Sequence, residues 1–461
     1  MKLFEILKNI KHYIRVKEPQ HRLRKGQHNI FMSLYEFLKK GMTMGYLMLP
    51  SGVGKTNIAI ELAIAGDFKK VLFLVPTVTL VDQTKERFRK FSSFTVDVFT
   101  GARKNMSEQI TVATYQSIQR RHLLPEKFDL VIFDEVHEAL SPGRQNIRKH
   151  FGPETIQIGL TASDTYNETK QVSSYFPLIA KMTIEEAIKL GMLCHVQNWL
   201  AQTNIDISKI TRRRGDYDVR EQKRYIDVSR RNKAALDIYK RFLNGQTCLI
   251  TCINVNHAIK VARIFQRSGI PSKAVWGSTQ KHLLSRADLR QRLSDFKTGK
   301  IKVLTTVDLV DKGFDNTLIT ALINLRITSS VVKATQRGGR VLRLFSEDDR
   351  IQPIAQKMLK KFHVKLATVV DFLDECKNHT FRPVLFSDIL AQTYRLPTEI
   401  ERSISNGTRK GEVDLWPSGG PIKIKLITNV TQIAKITSKL TTYVNLPVSD
   451  EREIFFLPVK R

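Results

Sequence analysis

A chain of 461 residues can bury more than one core, and its 42% apolar and 26% charged content exclude a fibrous or disordered class. The formal net charge of +31 calls for a polyanionic partner or a dense counter-ion cloud, and nucleic acid is the first candidate. Four cysteines, Cys194, Cys248, Cys252 and Cys376, form no CxxC pair, so neither a disulfide framework nor a zinc site is expected and a reducing cytoplasm fits. No apolar run reaches membrane-spanning length, and the charged start from Met1 to Lys8 is no signal-peptide core.

In chain order, an N-terminal segment (1–21) precedes the apolar run Tyr46-Leu47-Met48-Leu49, which reads as a strand. The turn Pro50-Ser51-Gly52-Val53-Gly54-Lys55-Thr56 comes next, and then a helical stretch. Strand, glycine turn and helix make a phosphate cradle: backbone N–H groups curl around an oxyanion at a helix N-terminus. Lys55 then reaches the β- and γ-phosphates, and the Thr56 hydroxyl suits Mg²⁺. Leu49 stands where the eight-residue pattern has its first glycine. Apolar runs at 71–75, 110–114, 130–133 and 156–160 read as buried parallel strands of a doubly wound domain over 22–190. Asp134 and Glu135 end one of these strands, where an open parallel sheet places ligand groups. Asp134 is suited to hold Mg²⁺ through water, and Glu135 to orient or deprotonate the attacking water.

The strand grammar restarts at 247–253, 272–276, 301–305 and 321–325, giving a second α/β domain over 191–345 without its own phosphate loop. A basic segment from Thr211 to Arg224 precedes the first of these strands, either an exposed loop touching nucleic acid or a solvated linker. Arg340 and Arg343 stand three apart, on one helical face, and an arginine of this kind can neutralise a transferring γ-phosphate. Residues 346–461 read as a small accessory α+β extension with a short strand at 422–427. Within it, Glu412, Asp414 and Lys425 superficially suggest a metal nuclease. Lys423 stands where an acid belongs, so a solvated strand face is expected.

Taken in order, these strings resemble the motif set of superfamily 2 helicases and translocases of the DExH type, over residues 22 to 345. The resemblance implies an α/β fold with two tandem RecA-like doubly wound parallel-sheet lobes and a small α+β C-terminal extension. Residues 50–56 match motif I, Asp134 to His137 motif II, and Gln27 the upstream glutamine that reads adenine. Thr161 and Ser163 match motif III, with Asp164 in place of its proline, and Gln336 to Arg343 match motif VI. Gly313 and Asp315 match motif V, in which Val307 replaces the phosphate-contacting threonine and leaves Thr305 or Thr306 for that contact.

The same resemblance implies ATP and Mg²⁺ as cofactors, with Thr56 and Asp134 on the metal. It assigns hydrolysis to Lys55, Asp134, Glu135, Arg340 and Arg343. It assigns ATP binding to Gln27, Ser51, Gly52, Val53, Gly54, Lys55, Thr56, Gly313 and Asp315. By the same likeness, His137, Thr161, Ser163 and Gln336 couple the ATP site to the strand-binding face, and Thr77, Gly101, Thr114, Thr305 and Thr306 hold the nucleic-acid backbone. The expected function is an ATP-dependent DNA helicase or translocase in replication, recombination or repair. It resembles phage and bacterial branch-migration motors of the UvsW and RecG type. It would act as a monomer on single-stranded, forked or branched DNA, in the cytoplasm (the host's if phage-encoded) and without a membrane partner. An RNA-dependent ATPase is the second reading, and a non-catalytic nucleic-acid scaffold the third.

Overall fold

A computed structural model describes residues 2–17, 23–103, 105–120, 127–165, 170–213, 215–277, 284–307, 316–376, 382–390, 396–400, 412–414 and 424–427. The chain divides into two compact units, Met1–Met192 and Leu193–Arg461. Gly313 and Asp315 lie outside the described residues.

The first unit carries a seven-stranded sheet: β1 (Met44–Met48), β2 (Val71–Val75), β3 (Val96–Phe99), β4 (Ile110–Thr114), β5 (Leu130–Asp134), β6 (Ile156–Thr161) and β7 (Leu178–Lys181). Their spatial order is β3-β4-β2-β5-β6-β1-β7, with every pairing parallel. β2, β4, β5 and β6 are buried along their whole length, which is why they read as unbroken apolar runs rather than alternating ones. The order reverses beside β1, β5 and β6, whose carboxyl ends bear the phosphate loop, the acid pair and Thr161.

The second unit holds β8 (His195–Asp206), the two-residue strands β9 (Arg212–Arg213) and β10 (Asp216–Tyr217), β11 (Cys248–Thr251), β12 (Ser272–Trp276), β13 (Val303–Val307), β14 (Ala321–Asn324), β15 (Leu366–Glu375), β16 (Glu412–Asp414) and β17 (Ile424–Ile427). Its main sheet runs β12-β13-β11-β14-β15-β8-β17-β16, parallel up to β8 and antiparallel beyond it. Beyond residue 345, β15 lies between β14 and β8, and β17 pairs with β8, so these strands widen the sheet of this unit. Both sheets are flanked by helices, so the two units are tandem RecA-like α/β lobes.

The core of the second unit holds a buried ion pair. Arg231 Nη1 donates to Asp374 at 2.8 Å with both side chains fully buried, and the guanidinium lies over the Phe372 ring. Asp374 also accepts from the Thr203 hydroxyl. Cys194, Cys248 and Cys252 are free and buried, and burial pushes the Cys194 thiol up to about 11.

Candidate ATP-binding site

The turn after β1 needs two left-handed residues, and glycine occupies both: Gly52 at φ 94° and Gly54 at φ 88°. Gly54 is the N-cap of the helix Lys55–Ala65, so the first N–H groups of that helix face the concavity of the loop. A Cβ on Gly54 would overlap Gln27 Nε2. Gln27 itself is buried; its Nε2 donates to Val53 O at 2.8 Å and its Oε1 accepts from Arg24 N at 2.9 Å. The glutamine expected to read adenine thus also braces the phosphate loop.

Leu49, the departure from the eight-residue pattern, uses its backbone rather than its side chain. Its N–H donates to Thr161 O at 2.8 Å, and its carbonyl accepts from Lys55 Nζ at 3.2 Å. The loop is thereby tied to the end of β6, with the lysine folded back over it.

Asp134 ends β5, and Glu135 comes after it in left-handed backbone at φ 51°, a sparsely populated region for a non-glycine residue. Burial is the first cause that pushes the Asp134 carboxyl up to about 7, and the adjacent Glu135 adds to it. Lys55 and Arg87 pull the other way, so the lysine, both acids and Arg87 share one electrostatic neighbourhood. Glu135 Oε2 is buried and accepts no hydrogen bond. An acid held in this state fits a cation. Hard oxygens from Asp134 and the half-buried Thr56 suit Mg²⁺, which takes few protein ligands and keeps phosphate and water for the rest. Among the described residues no three His, Cys, Asp or Glu side chains converge into a fuller metal cage.

His137 Nδ1 lies 3.0 Å from Thr161 Oγ1, and that hydroxyl donates to Ser163 O at 2.7 Å. The one hydroxyl proton is thus spent, so Nδ1 must be the donor to Thr161. His137 Nδ1 is also 3.5 Å from Glu135 Oε2, too far for a second bond. This chain of bonds joins the ends of β5 and β6, and with them His137, Thr161 and Ser163. Asp164, in place of the expected proline, accepts from the Tyr46 hydroxyl at 3.0 Å and from Ser173 N at 2.8 Å. It anchors the turn by hydrogen bonds instead of a ring. Tyr115, which the motif matches do not single out, donates to Asp134 O at 2.9 Å and stacks on Phe133. Its place directly after Thr114 is the one signal the sequence offers for it.

The strand-contacting candidates divide. Thr77 and Thr114 are helix N-caps whose hydroxyls accept from Leu80 N and Ser117 N, and Gly101 is exposed with open space above it. Thr305 requires a correction. Its hydroxyl donates to Ala258 O at 2.8 Å inside the core, because its side chain points into the face covered by the helix Val255–Arg267. Thr306 is also buried, with a hydroxyl that lacks a partner, so of the pair only Thr306 keeps an unspent donor. Gln336, Arg337 and Arg340 lie buried on the helix Val331–Val341. Arg343 requires a second correction, since it stands two residues past that helix. The chain turns there, and Lys365 Nζ donates to the Arg343 carbonyl at 2.6 Å.

Fold and site together define a chain with tandem RecA-like lobes, one carrying a phosphate loop and an acid pair at its switch point. Residues 20–165 match the family model "Type III restriction enzyme, res subunit", and residues 231–345 match "Helicase conserved C-terminal domain". The two models in this order support a superfamily 2 helicase. A 51.5 kDa protein of Lactococcus phage (isolate 7-9) is 29% identical over 64% of this chain and 61% of its own. The DNA 3'-5' translocase XPB2 of Sulfurisphaera tokodaii is 34% identical over 31% of this chain and 33% of its own. The chain thus spans less than two thirds of the length of these curated relatives. Among solved structures, the ATP-dependent Type ISP restriction-modification enzyme LlaBIII bound to DNA superposes with TM-score 0.54 at 16% identity. That match covers 78% of this chain and 28% of LlaBIII, and it speaks for the fold alone.

Proposed function

We propose that this chain is an ATP-dependent DNA helicase or translocase whose work is branch migration or fork remodelling. The observation that carries the reading is the Asp134 carboxyl. It is buried at a strand end, and burial together with the adjacent Glu135 raises its carboxyl against the pull of Lys55, a setting that a bound cation would relieve. Lys55 and the loop N–H groups of Gly52 to Thr56 bind the phosphates. Glu135 takes the proton from the attacking water, with its backbone fixed by the left-handed turn. Mg²⁺, when bound by Thr56 and Asp134, would neutralise charge on the phosphate oxygens. Arg340 and Arg343 are the groups assigned to charge on the γ-phosphate. The bonds from His137 through Thr161 to Ser163, starting two residues after Glu135 in the chain, carry the state of the ATP site toward the strand-binding residues. The +31 charge and the DNA named for LlaBIII and XPB2 support DNA as the polyanion. A monomer working in the cytoplasm completes the reading.

The test compares ATP hydrolysis and strand displacement on single-stranded DNA, forked DNA, a four-way junction and RNA. Preferential displacement of junction and fork substrates is expected. Stimulation by RNA alone would sink the DNA reading.

A further inference from the structure

The basic stretch 209–224 takes no part in the proposed ATP site. It lies between the two matched family models and belongs to neither. It folds as β9 and β10, paired antiparallel around Gly215 at φ 76°, and then the helix Val219–Ile226.

Its three acids are spent on building that unit. Asp216 is buried and accepts from Thr328 Oγ1 at 3.0 Å, Ser329 N at 2.9 Å and Lys333 Nζ at 2.8 Å. Burial raises its carboxyl, but Lys333 and the backbone donors outweigh that and hold it below the usual range. Asp218 caps the helix through Arg220 N and Glu221 N. Glu221 accepts from the Thr211 backbone and hydroxyl.

Arg212 donates to Ser329 Oγ at 3.2 Å, while four other bases face outward. Arg213, Arg220, Lys223 and Arg224 are exposed, and among the described residues Arg213, Arg220 and Lys223 form no ion pair. Arg220, Lys223 and Arg224 share one helical face, with the Arg224 guanidinium 5.5 Å from the ring centroid of half-buried Tyr225. Crowded cations on a surface repel one another. Holding them on a frame fixed by Asp216 favours a ligand that supplies closely spaced anions. Arginine forks match phosphate oxygens, and an aromatic face beside them offers a base a stacking surface.

We propose that the β9–β10 hairpin and the helix Val219–Ile226 form a phosphate grip for a DNA strand, additional to the motif residues. Asp216 ties this grip to the segment that starts the Arg340 helix. The inference rests on the reading that the chain works on DNA.

The experiment uses the full chain with a labelled single-stranded DNA and an RNA of the same length and sequence, in anisotropy titrations across about 50–200 mM NaCl. Arg213→Glu/Arg220→Glu/Lys223→Glu is compared with a charge-matched control, Arg263→Glu/Arg267→Glu/Lys297→Glu, on other exposed positions of the same unit. The grip variant should lose at least ~10-fold in affinity. Its plot of log affinity against log salt should flatten by roughly 2, from three contacts at about 0.7 each. The control should keep the wild-type slope. Equal losses in both variants, or an unchanged slope in the grip variant, would overturn the grip while leaving the motor reading intact. Loss confined to an RNA probe would overturn the choice of DNA. A wild-type chain that binds neither probe would remove both readings at once. Circular dichroism melts of both variants confirm that the fold is kept.

Discussion

Phe386 packs against Gly338 so closely that a Cβ on the glycine would overlap ring carbons Cδ2 and Cε2. Phe386 N donates to Asp371 at 2.7 Å and Val384 N to Thr328 O at 2.8 Å, so the segment bearing the ring is pinned to β15 and to the approach of the Arg340 helix. The ring therefore fills the space against that helix at Gly338.

Gly338→Ala should cost about 1–3 kcal/mol through overpacking, and Phe386→Ala about 3–5 kcal/mol through the space it vacates. Because both changes act on one space, the double variant should lose clearly less than the sum. Trp199 and Trp276 are buried in the second unit and no tryptophan stands before residue 193, so intrinsic fluorescence in urea tracks its unfolding. Strict additivity would contradict the contact.

Gly54→Ala combines left-handed strain of roughly 1–2 kcal/mol with overlap on Gln27 Nε2. A fluorescent ATP analogue should bind at least ~10-fold more weakly, since ~1.4 kcal/mol is one decade. Gly41→Ala is the control. Gly41 has a similar φ of 80° but open space around it, so nucleotide affinity should not change.

His257 should make the second unit acid-sensitive. Its Nδ1 accepts from Ile253 N at 3.2 Å, and its Nε2 is 2.9 Å from Asn232 Oδ1, whose own Nδ2 is given to Asp227. The ring is therefore neutral with the proton on Nε2. Burial, ahead of the opposing pull of Asp227, lowers it to about 4. A depressed folded value means that the contribution is full above pH ~6.5 and is lost as pH falls toward ~4, amounting to roughly 3 kcal/mol. Burial raises Asp371 to about 6, so its contribution runs the other way, lost as pH rises through that range. The histidine is thus read from the difference between wild type and His257→Gln. Urea midpoints at pH 7.5 and 4.5 should diverge in the wild type more than in the variant; parallel shifts would contradict a buried neutral ring.

The first sheet was legible because its central strands are uninterrupted apolar runs between a glycine turn and polar helices. β15 was not, although it is the centre of the second sheet. Asp371 and Asp374 break its apolar run, and only the fold supplies the Asn324, Phe386 and Arg231 groups that make those acids tolerable. β8 was missed for a similar reason: polar Gln197, Asn198 and Gln202 interrupt it, and its burial comes from β15 and β17 on either side. At the site, residue types and order pointed to the phosphate loop and acid pair. Hydroxyl direction was beyond reach, because neighbouring strand residues such as Thr305 and Thr306 face opposite sides. The brace from Gln27 to Val53 was equally hidden, since two segments about 26 residues apart must first be packed together.

The central claim is that Lys55, Asp134 and Glu135 form one hydrolytic site driving a nucleic-acid motor. It is tested most directly by steady-state ATP hydrolysis with and without single-stranded DNA in wild type and Glu135→Gln. DNA should stimulate the wild type. The variant should keep nucleotide binding and lose about 10²–10⁴-fold in turnover, the share typical of a positioned general base. Wild-type turnover indifferent to DNA, or a Glu135→Gln variant that hydrolyses ATP at the wild-type rate, would contradict it.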